Sequence, residues 1–177
     1  MRMNGIAAAA FGLMVLGAAL PASAVSLTAQ QAQDRAAIEE TMSRYMFALD
    51  TANADAYASV YTPDGEIVLG GKVFEKGRKA LHDYVAGLRK EWKMAEGQKF
   101  GKTRHIYYNF TVDIQGDKAL AQAYWQTLVA NPDGGAWKVL ATGVSEDSLE
   151  KIDGSWLIAR RVIIGDPAPA KAEAAKE

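Results

Sequence analysis

The sequence predicts an α+β protein, and three observations lead to that class. Between about residues 28 and 95, apart from one brief hairpin, apolar residues recur with the spacing of helices. From Thr103 onward the apolar period changes to two, which is the spacing of strands. Turn motifs divide this second part into four long segments. Helices followed by a run of antiparallel strands are typical of a sheet that helices cover on one face.

Residues 1–24 are predicted to be a signal peptide. Arg2 precedes an apolar run from Ile6 to Leu20, and the stretch ends in "ASA", an A-x-A cleavage site. The run is about fifteen residues long, shorter than the roughly twenty of a membrane span. Because no second apolar run follows, we expect a periplasmic or secreted protein with no membrane partner after cleavage.

One domain, 25–164, is predicted after the signal peptide, followed by a disordered tail, 165–177, that is rich in Ala, Pro, Lys and Glu. The chain has no cysteine, so it can have neither a disulfide nor a lipid-bearing cysteine, and the domain must be held by packing. Acidic and basic residues nearly balance, at 21 and 20, without a basic cluster. Nucleic acid is therefore not an expected partner.

Two helices are predicted first. Ser26 or Thr28 can cap the first helix, which carries one apolar stripe at offsets of 4, 3 and 4. This stripe consists of Ile38, Met42, Tyr45 and Leu49. Asn53 can cap a short second helix over 54–61, and "TPDG" at 62–65 then predicts a turn.

A brief hairpin and a third helix follow. The hairpin joins "EIVL" to "KVFE" through Gly70 and Gly71. The third helix is predicted from Gly77 to about Met94 or Ala95, with a buried stripe and a polar loop, 96–102, after it. The stripe consists of Leu81, Tyr84, Val85, Leu88 and Trp92.

The four predicted strands comprise residues 103–115, 118–130, 136–151 and 155–164. In the first of them, alternation places a mixed polar set on one face, namely His105, Tyr107, Asn109 and Thr111. The other face carries a packing set, namely Ile106, Tyr108, Phe110, Val112 and Ile114. The mixed set suits either a solvent-exposed face or the polar patch of a pocket.

Three stretches of this sequence match a known family. They are "IEETMSRYMFALDTANADAYASVYTPDGEI" (38–67), "RHIYYN" (104–109) and "SEDSLEKIDGSWLIARRVI" (145–163). Through them the chain resembles the SnoaL-like branch of the nuclear transport factor 2-like (NTF2-like) superfamily, which includes polyketide cyclases, scytalone dehydratase and lindane dehydrochlorinase. The T-P-D-G and D-G-x-W pieces indicate the fold and say little about activity.

The resemblance implies a cone-shaped, strongly curved sheet, mixed or antiparallel, wrapped around the N-terminal helices with an apolar pocket in its mouth. In the enzymatic relatives an Asp at the end of the first helix and a His on a central strand form a catalytic dyad, and the matching positions are Asp50 and His105. This chain departs from common family sequences at Ala54, where Trp is frequent, and at Ser145, where Tyr is frequent. The resemblance also implies a homodimer or homotrimer.

Without the family, both roles stay open. A carboxylate at a helix C-terminus faces the negative end of the helix dipole, at a cost of roughly 0.3–1 kcal/mol. Asp50 therefore either has a hydrogen-bond donor as its partner, or it is only a polar loop residue or a cap of the next helix. A lone strand histidine is more often structural than catalytic. If the two residues pair, Asp50 fixes the tautomer of His105 and leaves its other nitrogen as a base that needs no cofactor.

Six aromatic residues are candidates to line the pocket, and two or three of them are expected to touch a ligand. They are Tyr45, Tyr57, Tyr61, Tyr107, Tyr124 and Trp125. Asn109 is a further candidate because it shares a predicted strand face with His105. Arg160 and Arg161 end the last strand, and at least one of them is expected to be solvated or salt-bridged.

Other chemistries lack the residues they need. His82 is predicted at the surface of the third helix, and because neither H-x-x-x-H nor H-x-H spacing exists, no metal site is predicted. The chain has neither a cysteine nor a G-x-S-x-G motif for a nucleophilic triad. Gly70-Gly71-Lys72 lies in a hairpin and not before a helix, so it is not a phosphate loop.

Two hypotheses follow for the function. The first is a cofactor-independent lyase or isomerase with a small hydrophobic substrate, aromatic and polycyclic molecules included, in which His105 is the general base and Asp50 orients it. Dehydration, loss of hydrogen halide and retro-aldol C–C cleavage all fit such a base. The second is a non-catalytic ligand-binding or assembly module, in which the Asp50–His105 pair is incidental.

Overall fold

Three helices and one six-stranded sheet make up the structure, a computed structural model that describes residues 26–131 and 134–167. The helices are α1 (Ala29–Asp50), α2 (Ala54–Ser59) and α3 (Arg78–Glu91). The strands are β1 (Tyr61–Leu69), β2 (Lys72–Lys76), β3 (Thr103–Gln115), β4 (Lys118–Val129), β5 (Lys138–Ile152) and β6 (Ser155–Gly165). The predicted signal peptide, 1–24, and residues 168–177 of the predicted tail lie outside the described residues. Among the helices that are described, none combines the length and the apolar character that a membrane crossing requires.

The sheet is mixed and open, with the strand order β2-β1-β6-β5-β4-β3. Strands β1 and β6 run parallel, and every other neighbouring pair is antiparallel. The predicted α+β class, with N-terminal helices against a curved sheet, is confirmed. The four long predicted strands agree with β3 to β6 to within two residues at each end.

Helix α1 delivers Asp50 to the start of β3. Thr28 caps the helix through a capping box with Gln31, so the cap is Thr28 and not Ser26. All four residues of the predicted stripe are buried in the core. The backbone N–H of Gly101 donates to the carbonyl oxygen of Asp50 at 2.7 Å. The end of the helix is thus attached to the segment that leads into β3.

The "TPDG" stretch lies within β1 and does not form the separate turn that was predicted. Helix α2 ends at Ser59, two residues earlier than expected, and β1 begins at Tyr61. Against β6 the pairing of β1 passes from Tyr61–Ile158 directly to Glu66–Arg160, so the intervening residues form a long bulge. Gly65 permits the close approach there, since a Cβ would lie 2.8 Å from the carbonyl oxygen of Ile158.

The alternation of inward-facing and outward-facing side chains along β3 reverses at Asn109. This residue has φ of +54°, and the pairing with β4 skips from Tyr108–Tyr124 to Thr111–Gln122. The skip is a β-bulge, in which one extra residue reverses the alternation that follows. Asn109 itself is exposed.

The bulge corrects the predicted faces of this strand. Before it, His105 and Tyr107 point towards the core side, and after it Phe110, Val112 and Ile114 do so. The assignment of Ile106 and Tyr108 to the packing face is wrong, because their side chains are 40% and 42% exposed on the outer face.

Asp34 joins α1 to the β5–β6 hairpin. Its Oδ1 accepts hydrogen bonds from Nζ of Lys151 at 2.7 Å and from Nε1 of Trp156 at 2.9 Å, and its Oδ2 accepts one from Gln30. These three donors favour the ionised form and hold the pKa of Asp34 at about 2. The tryptophan of the D-G-x-W motif thus has a structural partner.

Candidate functional site

Asp50 and His105 are in direct contact where α1 meets β3. Oδ1 of Asp50 lies 2.6 Å from Nδ1 of His105, and Oδ2 accepts the backbone N–H of His105 at 2.9 Å. The hydroxyl of Thr103 donates to Oδ1 at 3.4 Å. Asp50 is only 4% exposed, so protein groups and not bulk water must stabilise its charge. These contacts supply the donors that a carboxylate at a helix C-terminus needs.

The pairing determines which nitrogen of His105 is available for chemistry. A carboxylate accepts hydrogen bonds, so the neutral imidazole carries its proton on Nδ1, beside Asp50. Nε2 then presents a lone pair, and it has no hydrogen-bond partner among the described residues. The His105 side chain is 20% exposed, so small molecules can reach the imidazole.

His105 lines a cavity of about 300 Å³ between the helices and the inner face of the sheet. This volume lies at the lower end of the range for small-molecule sites. Most of the wall is aromatic or aliphatic: Tyr45, Met46, Leu49, Tyr57, Ile67, Leu69, Phe74, Tyr84, Leu88, Trp92, Trp125, Leu140, Ala141 and Ile163. The remaining lining residues are Thr103, His105, Thr127 and Arg161.

Three of the six aromatic candidates line this cavity, namely Tyr45, Tyr57 and Trp125. Tyr61 is fully buried in the core behind the wall, with its hydroxyl 3.5 Å from that of Tyr57. Burial raises the pKa values of Tyr57 and Tyr61 well above the ordinary tyrosine value, so both hydroxyls remain protonated.

The other candidates lie elsewhere, which corrects their predicted role in the lining. Tyr107 points inward but turns towards β5, where it bonds to Asp147. Tyr124 lies on the outer face of the sheet and packs on Tyr108, with ring centroids 5.8 Å apart. Asn109 is exposed because it forms the bulge. Tyr61, Tyr107, Asn109 and Tyr124 are therefore not part of the cavity wall.

Arg161 reaches the cavity from β6, although the sequence did not single it out as a site residue. Its side chain is 2% exposed, and Nη1 donates to Oδ1 of Asp147 at 2.9 Å. Oδ2 of Asp147 accepts hydrogen bonds from Tyr107 at 2.8 Å and from Ser145 at 3.0 Å. The ring of Tyr45 lies 4.2 Å from the guanidinium carbon, a cation–π contact.

The electrostatics of this pair favour two charged partners. Burial alone would lower the pKa of Arg161, but the Asp147 carboxylate outweighs that effect and the pKa is raised well above its ordinary value. Burial raises the pKa of Asp147, and the guanidinium opposes this rise. Ser145 is fully buried within this network.

Two buried nitrogen donors in the cavity wall have no hydrogen-bond partner. They are Nε1 of Trp125 and Nε of Arg161, the two buried side-chain polar atoms without a partner in the described part of the chain. The indole packs closely on Gly143 of the neighbouring strand, where a Cβ would lie 2.8 Å from Cζ2 of Trp125. Buried donors are normally paired, so these two are exceptions that require an explanation.

The second histidine lies away from the cavity. His82 is on the flank of α3, 40% exposed, between Asp55 at 3.4 Å and Asp83 at 3.2 Å. Across residues 26–131 and 134–167, no three His, Asp or Glu side chains converge as a set of metal ligands.

Known proteins share both the sequence pattern and the fold. Residues 30–162 match the family model described as the SnoaL-like domain. A protein of unknown function from Mycobacterium tuberculosis is 26% identical, with a TM-score of 0.69 over 82% of this chain and 84% of that one. A protein from Catenulispora acidiphila, solved in complex with S-DNPA, is 25% identical, with a TM-score of 0.63 over 76% of this chain and 95% of that one.

A third structure, from Novosphingobium aromaticivorans, is provisionally described as a scytalone dehydratase. It is 20% identical, with a TM-score of 0.66 over 84% of this chain and 95% of that one, and at this identity the similarity concerns the fold alone. No curated protein matches the chain significantly.

Proposed function

The chain belongs to the family of SnoaL-like domains, and we propose that it is a cofactor-independent lyase or isomerase in which His105 is the general base and Asp50 orients it. The observation that carries the proposal is the 2.6 Å contact between Oδ1 of Asp50 and Nδ1 of His105 in the wall of an apolar cavity. The predominantly aromatic and aliphatic lining fits a small hydrophobic substrate.

The chemistry begins with removal of a proton from a weakly acidic carbon of the substrate by Nε2 of His105. The imidazolium that forms is stabilised by the buried Asp50 carboxylate. If the imidazolium returns the proton to a different carbon, the result is isomerisation. If a leaving group departs, the result is elimination, and the imidazolium can protonate that group.

Asp50 is well placed to act as a positioning residue. It holds His105 at two points, the ring and the backbone N–H, and its own carbonyl is held by Gly101. Because these bonds exist before any ligand arrives, little reorientation of the base is needed for proton transfer.

One observation favours a second candidate function, that of a non-catalytic ligand-binding module. The bond from the backbone N–H of His105 to Oδ2 of Asp50 fastens α1 to β3 whether or not the imidazole reacts. The similar protein from Catenulispora acidiphila was also solved in complex with S-DNPA. In this alternative the cavity binds a hydrophobic ligand and releases it unchanged.

His105→Gln and Asp50→Asn test the proposed function. The wild-type protein is incubated with a panel of β-hydroxy ketones, β,γ-unsaturated ketones and halogenated cyclohexanes, and products are identified by mass spectrometry. We expect conversion of at least one compound and a loss of about 10²- to 10⁴-fold in kcat/KM in each variant. Glutamine at position 105 keeps the backbone bond to Asp50, so the fold should be retained.

His82→Gln serves as the matched control, because it removes the other histidine from a partly exposed position outside the cavity. Normal turnover by both site variants would contradict the role of the dyad. If the wild-type protein binds members of the panel and converts none, the binding module is the better assignment.

A further inference from the structure

We propose that the cavity contains a subsite for a hydrogen-bond acceptor, formed by Arg161 and Trp125, and that its ligand is an apolar molecule with a carbonyl or phenolate oxygen. This assignment rests on the proposed function, because it names the ligand class of the same cavity. It concerns binding, however, and can be tested without turnover.

Arg161 has donor capacity that its protein partners do not use. A guanidinium group carries five N–H bonds in one plane. Asp147 accepts from Nη1, and the rings of Tyr45 and Tyr107 lie 4.2 Å and 5.0 Å from the central carbon. These contacts leave Nε buried and unpaired. An in-plane acceptor would complete the coordination of this group.

Trp125 provides a second donor of the same kind on another strand. Its indole N–H is buried and unpaired, and its ring is fixed against Gly143. A buried donor without a partner loses its hydration and gains nothing in return, which makes an acceptor from a ligand favourable. Two such groups in one cavity wall are unusual in a protein whose other described buried polar side-chain atoms are paired.

The charge distribution of the cavity selects acceptors over donors. No Asp or Glu occurs among the lining residues that the structure describes, whereas Arg161 is charged and Tyr57 keeps its hydroxyl proton. Asp50 and Asp147 each contact a lining residue, but their carboxylates are occupied by His105 and Arg161. Among these described residues a cationic ligand would therefore find no free counterion, whereas a ligand oxygen would find two unpaired donors.

The subsite also suits the proposed proton transfer. When His105 removes a proton from the carbon next to a carbonyl group, the C–H electron pair moves into the new C=C bond and the carbonyl oxygen becomes an enolate. Donors directed at that oxygen stabilise the developing charge. Both nitrogens are buried in the cavity wall, so contact with a ligand oxygen requires side-chain shifts of the kind that accompany binding in other proteins.

A matched pair of probes tests the subsite: 2-acetylnaphthalene and 2-isopropenylnaphthalene, which have the same shape and differ in C=O against C=CH₂. Isothermal titration calorimetry of the full chain should give a Kd about tenfold lower for the ketone, the effect of a hydrogen bond gained by a buried donor. Trp125→Phe removes one donor while keeping an aromatic ring at this position, and should reduce this preference several-fold. The double variant Arg161→Met/Asp147→Asn, which leaves no unpaired buried charge, should reduce it further.

Trp137→Phe is the control, since Trp137 is 42% exposed and outside the cavity wall, and it should keep the full preference. Three results would overturn the subsite: equal affinity for the two probes, no binding of either, or a preference that is unchanged in both donor variants. The two nitrogens would then be assigned to hydrogen bonds with ordered water. A preference that persists in His105→Gln while turnover is absent from every protein would remove the proposed function and keep the subsite.

Discussion

Asp147 and Arg161 differ energetically from the ion pairs on the protein surface. Both side chains are at most 2% exposed, whereas the side chains of Arg44 and Glu40 are more than 60% exposed. An exposed pair contributes about 0–1 kcal/mol because water and salt screen it. A buried pair is costly to form but more costly to break, because removal of one partner leaves the other charge without water or a counterion.

Arg161→Met should therefore destabilise the protein by about 3–5 kcal/mol, with much of that loss recovered in Arg161→Met/Asp147→Asn. The single variant leaves the Asp147 carboxylate buried with only Tyr107 and Ser145 as donors. The free energy of unfolding, measured by urea denaturation with circular dichroism, checks the expectation.

Arg160→Met is the matched control, because Arg160 is the neighbouring residue on the exposed side of β6. It should change the free energy of unfolding by less than about 1 kcal/mol. An Arg161→Met protein as stable as this control would show that the buried pair contributes nothing to the fold.

Asp50 and His105 of the candidate site could be predicted from the sequence, whereas Arg161 could not. The pairing of Asp50 with His105 could be predicted from the family motifs, and the need of a carboxylate at a helix C-terminus for a donor agrees with it. Arg161 could not be predicted in this way, because simple alternation from Trp156 and Ile158 would turn Arg160 inward. The pairing of β5 with β6 skips Ala159, and that irregularity turns Arg161 to the core instead.

At the scale of elements, irregularities in the strands decide which side chains meet. Helix stripes and strand limits follow from periodicity, so α1 and β3 to β6 could be predicted closely. The bulge at Asn109 could not, because it contains no glycine, its one weak signal is an asparagine that tolerates positive φ, and the alternation of residue types continues across it. Its effect is to place His105 and Phe110, five positions apart, on the same face.

The bulge makes position 109 sensitive to the shape of the side chain. Asn109→Val should cost about 1–2 kcal/mol, because a β-branched residue is strongly disfavoured at φ of +54°, whereas Asn109→Gly should be nearly neutral. Thermal and urea unfolding of the two variants measure the difference.

Thr111→Val is the control for the valine substitution, since Thr111 is exposed on the same strand and has no positive φ. Valine is favoured in ordinary strand geometry, so this variant should keep its stability. Equal stability of Asn109→Val and Asn109→Gly would mean that the bulge can move or dissolve at little cost.

For the molecule as a whole, the fold class and the family resemblance are both confirmed. Long strands separated by clear turns, after amphipathic helices, leave few alternatives to a sheet with helices on one face. The dimensions of the cavity were beyond prediction because they depend on how several elements meet, including the bulges of β1, β3 and β6. Export of the chain and assembly into a homodimer or homotrimer stay predictions.

The contact that joins α1 to the β5–β6 hairpin gives the global stability a predicted acid dependence. The pKa of Asp34 is lowered from 3.8 to about 2, chiefly by hydrogen bonds from Lys151, Trp156 and Gln30. A lowered pKa means that the folded state prefers the carboxylate, so its contribution is fully present above about pH 4 and is lost as the pH falls towards 2. The difference in unfolding free energy between wild type and Asp34→Asn should therefore shrink over this interval.

Urea titrations at pH 5, 4, 3 and 2 measure this difference, and Asp153→Asn, at an exposed turn, controls for loss of a carboxylate. A difference that stays constant with pH would show that Lys151 does not sense the charge of Asp34.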